Sequence, residues 1–259
     1  MSNEDPRDVM IQRLVKGRSF VDVGGLWGTV SEKVSVAYRA GAAKVAMLDI
    51  TPPGDELWQA FERRMLDLKV SDYACYGNVN VDNLDVAAVG GPYEVVHCSG
   101  VLYHCPNPLH TLKQLASLTR EYLILTSTVI PKRIENEGGQ LEVPHGGMLL
   151  APTLGEKEYA IVARYWKEKG VPTAVETPDG ARRYHWDMAD YGPWWWFIPR
   201  ETLMGMMETA GLKILMDAPY WGARCHTVLS WQSNSADAAS QSSFRNGAHS
   251  FRNASSGAM

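Results

Sequence analysis

The sequence predicts an α/β domain: a mostly parallel sheet with helices on both faces. Three observations carry that expectation. Short apolar runs alternate with stretches of helical periodicity from residue 19 to about residue 130. The first two runs, residues 19–23 and 44–50, flank a glycine-rich turn and a helical stretch, as in a βαβ unit. The fifth run, residues 121–130, is almost continuously apolar, which suits a strand covered on both faces.

Residues 8–16 read as a short helix with Val9, Leu14 and Val15 apolar, and residues 1–17 precede the main domain. Little chain stands before the first strand, so a lid over any site is expected from elsewhere. After the turn Gly24-Gly25-Leu26-Trp27-Gly28, a helix is expected over 29–39, with Val30, Val34, Ala37 and Tyr38 facing the sheet. Thr51-Pro52-Pro53-Gly54-Asp55 is a turn and helix start, followed by Trp58, Phe61, Met65 and Leu68 at helical spacing. A third strand is expected over 72–76 and a fourth over 93–98. Leu109, Leu112, Leu115 and Leu118 then mark one side of the next helix.

The chemistry begins at the first turn. Glycine lets backbone approach a ligand because it lacks the Cβ that would intervene. Asp49, near the end of the second run, can accept hydrogen bonds from both hydroxyls of a ribose. The unit is therefore a nucleotide-binding half. Leu26 stands where the dinucleotide fingerprint needs its second glycine, and no Gly-Lys-Ser/Thr follows, so neither a dehydrogenase site nor a P-loop is expected.

Asp22 two residues before Gly24-x-x-x-Gly28 resembles the first motif of class I S-adenosylmethionine-dependent methyltransferases. The segment Ser99-Gly100-Val101-Leu102-Tyr103-His104-Cys105-Pro106-Asn107-Pro108 resembles that family's segment after the fourth strand. The resemblance runs over about residues 18–231. It implies a Rossmann-like, seven-stranded, mostly parallel sheet whose last strand is antiparallel. S-Adenosyl-L-methionine is the implied cofactor, with Asp22, Gly24, Gly25, Gly28 and Asp49 around it. Asn78 and Val79 are placed at the adenine, Asp82 being the fallback, and Ser99 and Gly100 at the methionine part. Tyr103 and His104 are placed near the sulfonium or the acceptor.

From Pro131 to Phe197 the regular alternation lapses, and the segment is too long for an ordinary connection. It reads as an insert that covers the active face, with a helix carrying Tyr159, Val162, Ala163 and Trp166. Tyr184, Trp186, Tyr191, Trp194, Trp195, Trp196 and Phe197 make it the most aromatic part of the chain. Such rings shape a small-molecule pocket or form the insert's own core. The expected substrate contacts are Tyr103, Trp194, Trp195 and Trp196. A hydroxyl acceptor needs a base, for which His104, His145 and His185 are the candidates, His104 first, while Asp187 acts directly or orients a histidine. An amine acceptor needs no dedicated base. Leu203, Met206, Met207 and Ala210 form one more helix, followed by strands over 212–216 and 223–231.

The bulk numbers bound the rest. The 259 residues suffice for one large domain, here 18–232, with an insert at 131–197. The net charge of −4 argues against bulk positive charge holding nucleic acid. Cys75, Cys98, Cys105 and Cys225 lack CxxC spacing, as reduced cytoplasmic thiols do. The N-terminus is polar and acidic, and no run reaches membrane-spanning length. His97, Cys98, His104, Cys105 and His110 match no zinc spacing, and no metal is expected. The Ser-, Ala- and Asn-rich stretch 233–259 reads as a disordered tail. The expected partner is a small-molecule substrate, without membrane or nucleic acid; a homodimer is left open.

Two other readings have residues behind them. The segment after the fourth strand also resembles enzymes that carboxymethylate the wobble uridine of tRNA, with Arg164, Lys167, Lys169, Arg182 and Arg183 as a basic face. The other is a non-catalytic methyltransferase-like partner subunit, against which the intact Asp22, glycines and Asp49 argue.

Overall fold

The computed structural model describes residues 5–171 and 182–232. The expected tail at 233–259 and part of the insert lie outside the described residues.

Seven strands form the central sheet: β1 (Ser19–Val23), β2 (Lys44–Leu48), β3 (Ala74–Tyr76), β4 (Tyr93–Ser99), β5 (Thr119–Thr128), β10 (Leu212–Tyr220) and β11 (Cys225–Gln232). Their spatial order is β10-β11-β5-β4-β1-β2-β3. The pairs β2–β3, β1–β2, β1–β4 and β4–β5 are parallel, whereas β11 runs antiparallel to both β5 and β10. Strand order reverses between β1 and β4. At that point the connections leave in opposite directions and open a crevice at the carboxyl ends, where ligands of such sheets bind.

Alternation along the strands divides the core in two. Phe20, Val45, Met47, Val95 and Ile124 face one side, with Met10, Ile11, Val34, Phe61 and Met65 from α1 (Pro6–Leu14), α2 (Val34–Arg39) and α3 (Glu56–Asp67). Val21, Ala46, Val96, Leu123 and Leu125 face the other, against Leu112, Leu115, Leu203 and Met207 from α4 (Pro108–Leu118) and α6 (Arg200–Thr209). Helices therefore cover both faces. The starts of α3 and α4 follow their sequence signals. Asp55 Oδ1 accepts from Leu57 N at 2.9 Å, and Asn107 Oδ1 from His110 N at 3.2 Å with Pro108 following.

Three expectations are corrected. No helix begins at residue 29: a single 3-10 turn, Thr29–Ser31, precedes α2, and Val30 is 78 % exposed. The chain is extended at Glu32, one residue ahead of the N-cap Lys33, and its buried carboxylate accepts from Ser35 N at 2.8 Å, satisfying a first-turn N–H that Lys33 does not. Leu109 is exposed, because α4 turns only Leu112, Leu115 and Leu118 inward. Strand β10 continues to Tyr220, four residues past its expected end, because β11 pairs with it along that length.

The insert leaves the sheet at Ile130 and returns at Pro199, where the two segments bridge. It holds the hairpin β6 (Arg133–Asn136) and β7 (Gly139–Glu142), the pair β8 (Leu149–Leu150) and β9 (Trp196–Phe197), and α5 (Glu156–Glu168). Ile134, Leu154, Ile161, Val162, Trp166 and Phe197 form its own core. Trp195 N donates to Tyr103 O at 2.8 Å and Trp196 Nε1 to Pro106 O at 3.0 Å, which fastens the insert to the segment after β4.

The helix α1 does more than pack. Arg7 is buried, and its guanidinium donates to Ser99 Oγ at 3.2 Å and to Tyr220 Oη at 2.6 Å. Asp5 accepts from Arg7 and from Lys33 Nζ at 3.0 Å. Burial by itself would raise the Asp5 pKa. The hydrogen bonds and charges of Arg7 and Lys33 outweigh burial and hold it at about 2. A depressed carboxylate stabilises the fold above its unfolded pKa, and that stability is lost as pH falls toward 2. Asp5→Asn should therefore cost about 2 kcal/mol at pH 7. In denaturant melts, the gap between variant and wild type should close as pH falls from 5 toward 2. A gap independent of pH would contradict this.

Candidate active site

The ends of β1, β2 and β4 converge on a cavity of about 770 Å³, roofed by the insert. That size lies toward the upper end of the ~300–1,000 Å³ usual for small-molecule sites. One wall comes from the sheet: Gly24 after β1, Asp49 and Thr51 after β2, Val79 and Asn80 after β3, Ser99 and Gly100 after β4. Tyr103 and His104 of the segment after β4 line the cavity as well, with Trp186, Tyr191 and Trp194 of the insert. Trp27 and Trp221 also line it, Trp27 being 87 % exposed.

Each wall is set by local geometry. Gly24 has φ +74°, and a Cβ there would overlap Val101 Cγ2. This bend is thus open only to glycine. Gly24→Ala should destabilise the protein by about 1–3 kcal/mol from the backbone conformation alone. Thermal unfolding should fall by roughly 2–4 °C for each kcal/mol. An unchanged melting temperature would show that the bend tolerates a side chain.

The Asp49 carboxylate is 6 % exposed and sits against the bend, with Oδ2 accepting from Leu26 N at 3.3 Å. Its Oδ1 accepts from Thr51 N at 2.9 Å and Thr51 Oγ1 at 2.7 Å. A carboxylate offers about four acceptor positions; three are taken here, so one is open to a ribose hydroxyl and a second hydroxyl competes with the long 3.3 Å contact from Leu26 N. Buried Asp22 lies beneath the bend and lines no part of the cavity. Its Oδ2 accepts from Lys33 N at 2.8 Å, and its Oδ1 lies 2.7 Å from His97 Nδ1. It joins β1, β4 and the start of α2.

The histidine of the cavity is equally constrained. His104 Nδ1 lies 3.0 Å from the carbonyl oxygen of Pro193. A carbonyl only accepts, so Nδ1 carries the proton and Nε2 keeps its lone pair. Burial lowers the His104 pKa from 6.5, and hydrogen bonding to the backbone at Pro193 and Gly192 and the charge of Asp190 counter it only in part. The ring is neutral at pH 7. Tyr103 packs against Trp194 with the rings tilted 53° and their centroids 4.4 Å apart, and burial raises its hydroxyl pKa, so it too is neutral.

A family model described as a methyltransferase domain matches residues 3–216. The chain belongs to this methyltransferase family. No curated protein sequence matches the methyltransferase. Among solved structures it resembles the N-terminal domain of EvdMO1 determined in the presence of SAH and D-fucose. That match has a TM-score of 0.53 and 18% identity, covering 90% of this chain and 84% of the other. It also resembles magnesium protoporphyrin IX methyltransferase from Synechocystis PCC 6803 with bound SAH, at TM-score 0.51 and 16% identity, covering 84% and 75%. A third is a family 2 O-methyltransferase from Planctomyces limnophilus in complex with apigenin, at TM-score 0.51 and 14% identity. The methyltransferase aligns over 84% of its own length there and spans half of that chain. At these identities the likeness establishes the fold, the Rossmann-like sheet of S-adenosylmethionine-dependent methyltransferases.

Against that fold, the expected residues of the methyltransferase divide cleanly. Gly24, Asp49, Val79, Ser99, Gly100, Tyr103, His104 and Trp194 all line the one cavity. Gly25, Gly28 and Asn78 do not. The wall beside Val79 is formed by Asn80, because the backbone turns at Asn78 with φ +57°. Asp82 is taken up by Tyr191 Oη at 2.9 Å and by Thr111 Oγ1. Trp195 and Trp196 do not border the cavity: the Trp195 ring packs on Trp186, on the side opposite Trp194 as alternation requires, and Trp196 is drawn off by the bond of its Nε1 to Pro106 O. His145 lies 3.2 Å from Lys132 Nζ, and His185 is exposed; neither borders the cavity. Asp187 is exposed, with Oδ1 accepting from Ala189 N at 2.9 Å.

Two further expectations can be placed. His97 and Cys98 face opposite sides of β4, and among the described residues no group of three or more His, Cys, Asp or Glu is placed to hold a metal ion. Of the insert's basic residues, Arg164 pairs with Glu137 and Glu168, Arg182 with Glu156 and Arg183 with Asp190. No described helix is long and apolar enough to cross a membrane.

Proposed function

We propose that this methyltransferase uses S-adenosylmethionine to methylate a hydroxyl of a small-molecule acceptor, with His104 as general base. One observation carries the reading. A single cavity joins a ribose-competent carboxylate at the sheet edge to a neutral histidine whose tautomer leaves Nε2 basic.

The residues fit the cofactor. Asp49 would accept from the ribose hydroxyls, Val79 and Asn80 would border the adenine, and Ser99 and Gly100 the amino-acid part. Its sulfonium supplies an activated methyl group. The protein's work is then alignment, exclusion of water and proton removal. Tyr103 and Trp194 hold the acceptor flat against the segment after β4. Nε2 of His104 takes the hydroxyl proton as the oxygen attacks. The resulting imidazolium keeps its Nδ1–H bond to Pro193 O, which supports the charge where burial opposes it.

The test is transfer of labelled methyl from S-adenosylmethionine to a panel of hydroxylated aromatic compounds, run beside bulk tRNA. Label on a phenolic ether supports the proposal. Label on tRNA alone would replace it with the nucleic-acid reading. Transfer to neither, despite cofactor binding, would leave the non-catalytic subunit as the better account.

A further inference from the structure

Resting on that reading, we infer that the acceptor is a small planar aromatic acid, its carboxylate held by Arg183 while its hydroxyl meets His104. Two charged side chains line the cavity among the described residues, Asp49 on the sheet wall and Arg183 on the insert wall. With Asp49 assigned to the ribose, Arg183 is the remaining charge on the acceptor side. Its guanidinium is weakly committed: Nη1 reaches Asp190 Oδ2 at 3.3 Å. No other described hydrogen bond holds Nη2 or Nε, and these can present the two-pronged face that matches a carboxylate.

The surrounding surface suits a ring. Tyr103, Trp186, Tyr191 and Trp194 line the same cavity, with Trp194 against Tyr103 at 4.4 Å and the Arg183 guanidinium 5.8 Å from the Trp186 ring. Aromatic walls bind flat apolar bodies, and one cation among them selects for a single opposite charge.

One short turn links cation and base. Asp190 holds Arg183, and Pro193, three residues later, holds His104. Three peptide units span at most about 11 Å. Here they span less, because Gly192 N donates back to Asp190 Oδ1 at 2.8 Å. Cation and base thus both make contact with one tight turn, which brings them to the same part of the cavity.

The experiment is calorimetric titration of the full chain saturated with S-adenosylhomocysteine. The probes are 6-hydroxy-2-naphthoate and its neutral amide. The acid should bind about tenfold more tightly than the amide, the effect of one charge-assisted pair. Arg183→Gln should remove that preference and leave amide affinity within about twofold, and Arg183→Lys should fall between them. The wild-type comparison needs no variant, so a misfolded substitution does not blunt the test. Equal affinities, a preference that survives Arg183→Gln, or no binding of either probe would overturn the inference while cofactor binding leaves the methyltransferase reading intact. Failure of S-adenosylhomocysteine to bind would overturn both.

Discussion

Asp49→Ala is expected to weaken S-adenosylmethionine binding by about two to three orders of magnitude. Hydrogen bonds to a charged acceptor contribute about 1.5–3 kcal/mol each, and two ribose hydroxyls are available. At 1.4 kcal/mol per factor of ten, the pair accounts for that loss. The substitution also frees Leu26 N and Thr51, which the carboxylate holds at 3.3, 2.9 and 2.7 Å, so the bend itself loosens. Asp49→Asn keeps the shape and one acceptor and should lose only about tenfold. Tryptophan fluorescence is the natural readout, since Trp27, Trp186, Trp194 and Trp221 all border the cavity. Unchanged affinity in Asp49→Ala would remove the ribose from this wall.

His104→Gln should lower kcat on a hydroxyl acceptor by about 10²–10⁴-fold, the range for loss of a positioned general base. Cofactor affinity should change little, because the groups assigned to the ribose, the adenine and the amino-acid part are Asp49, Val79, Asn80, Ser99 and Gly100. The pH profile follows from the sign of the shift. The neutral ring is the active form, and burial lowers its pKa below 6.5. Activity should therefore be flat near pH 7 and fall on the acid side with a midpoint below 6.5. In His104→Gln that acid limb should disappear. If it persists unchanged, another group provides the base.

Much of this site is readable in the chain because topology places it. Apolar runs separated by helices specify a parallel sheet, and a parallel sheet with a reversal binds ligands at the ends of β1, β2 and β4. Gly24 and Asp49 follow from the βαβ pattern, and Ser99, Tyr103 and His104 from their place after β4 together with the family resemblance of that segment. Residues arriving from elsewhere do not. Arg183 and Trp221 reach the cavity only because the insert and the β10–β11 hairpin fold back over it. That the insert covers the active face is readable from its length and aromatic content, but nothing in the sequence says that Arg183 is the charge turned inward or that Trp221 joins it. Arg7 precedes the helix expected at 8–16 and nothing in the sequence singles it out, yet it is buried on Ser99, Tyr220 and Asp5. Two misplacements had a usable signal. Three consecutive tryptophans in an extended segment cannot all face one cavity, so Trp194 and Trp195 had to diverge. The early α2 start overlooked that Glu32 can accept from a first-turn N–H, as it does from Ser35 N.

A crystal structure with S-adenosylhomocysteine tests the whole arrangement most directly. The ribose hydroxyls should lie within hydrogen-bond reach of Asp49, and the sulfur should point toward Tyr103 and His104. A ligand bound outside this cavity, or a ribose turned away from Asp49, would contradict the account.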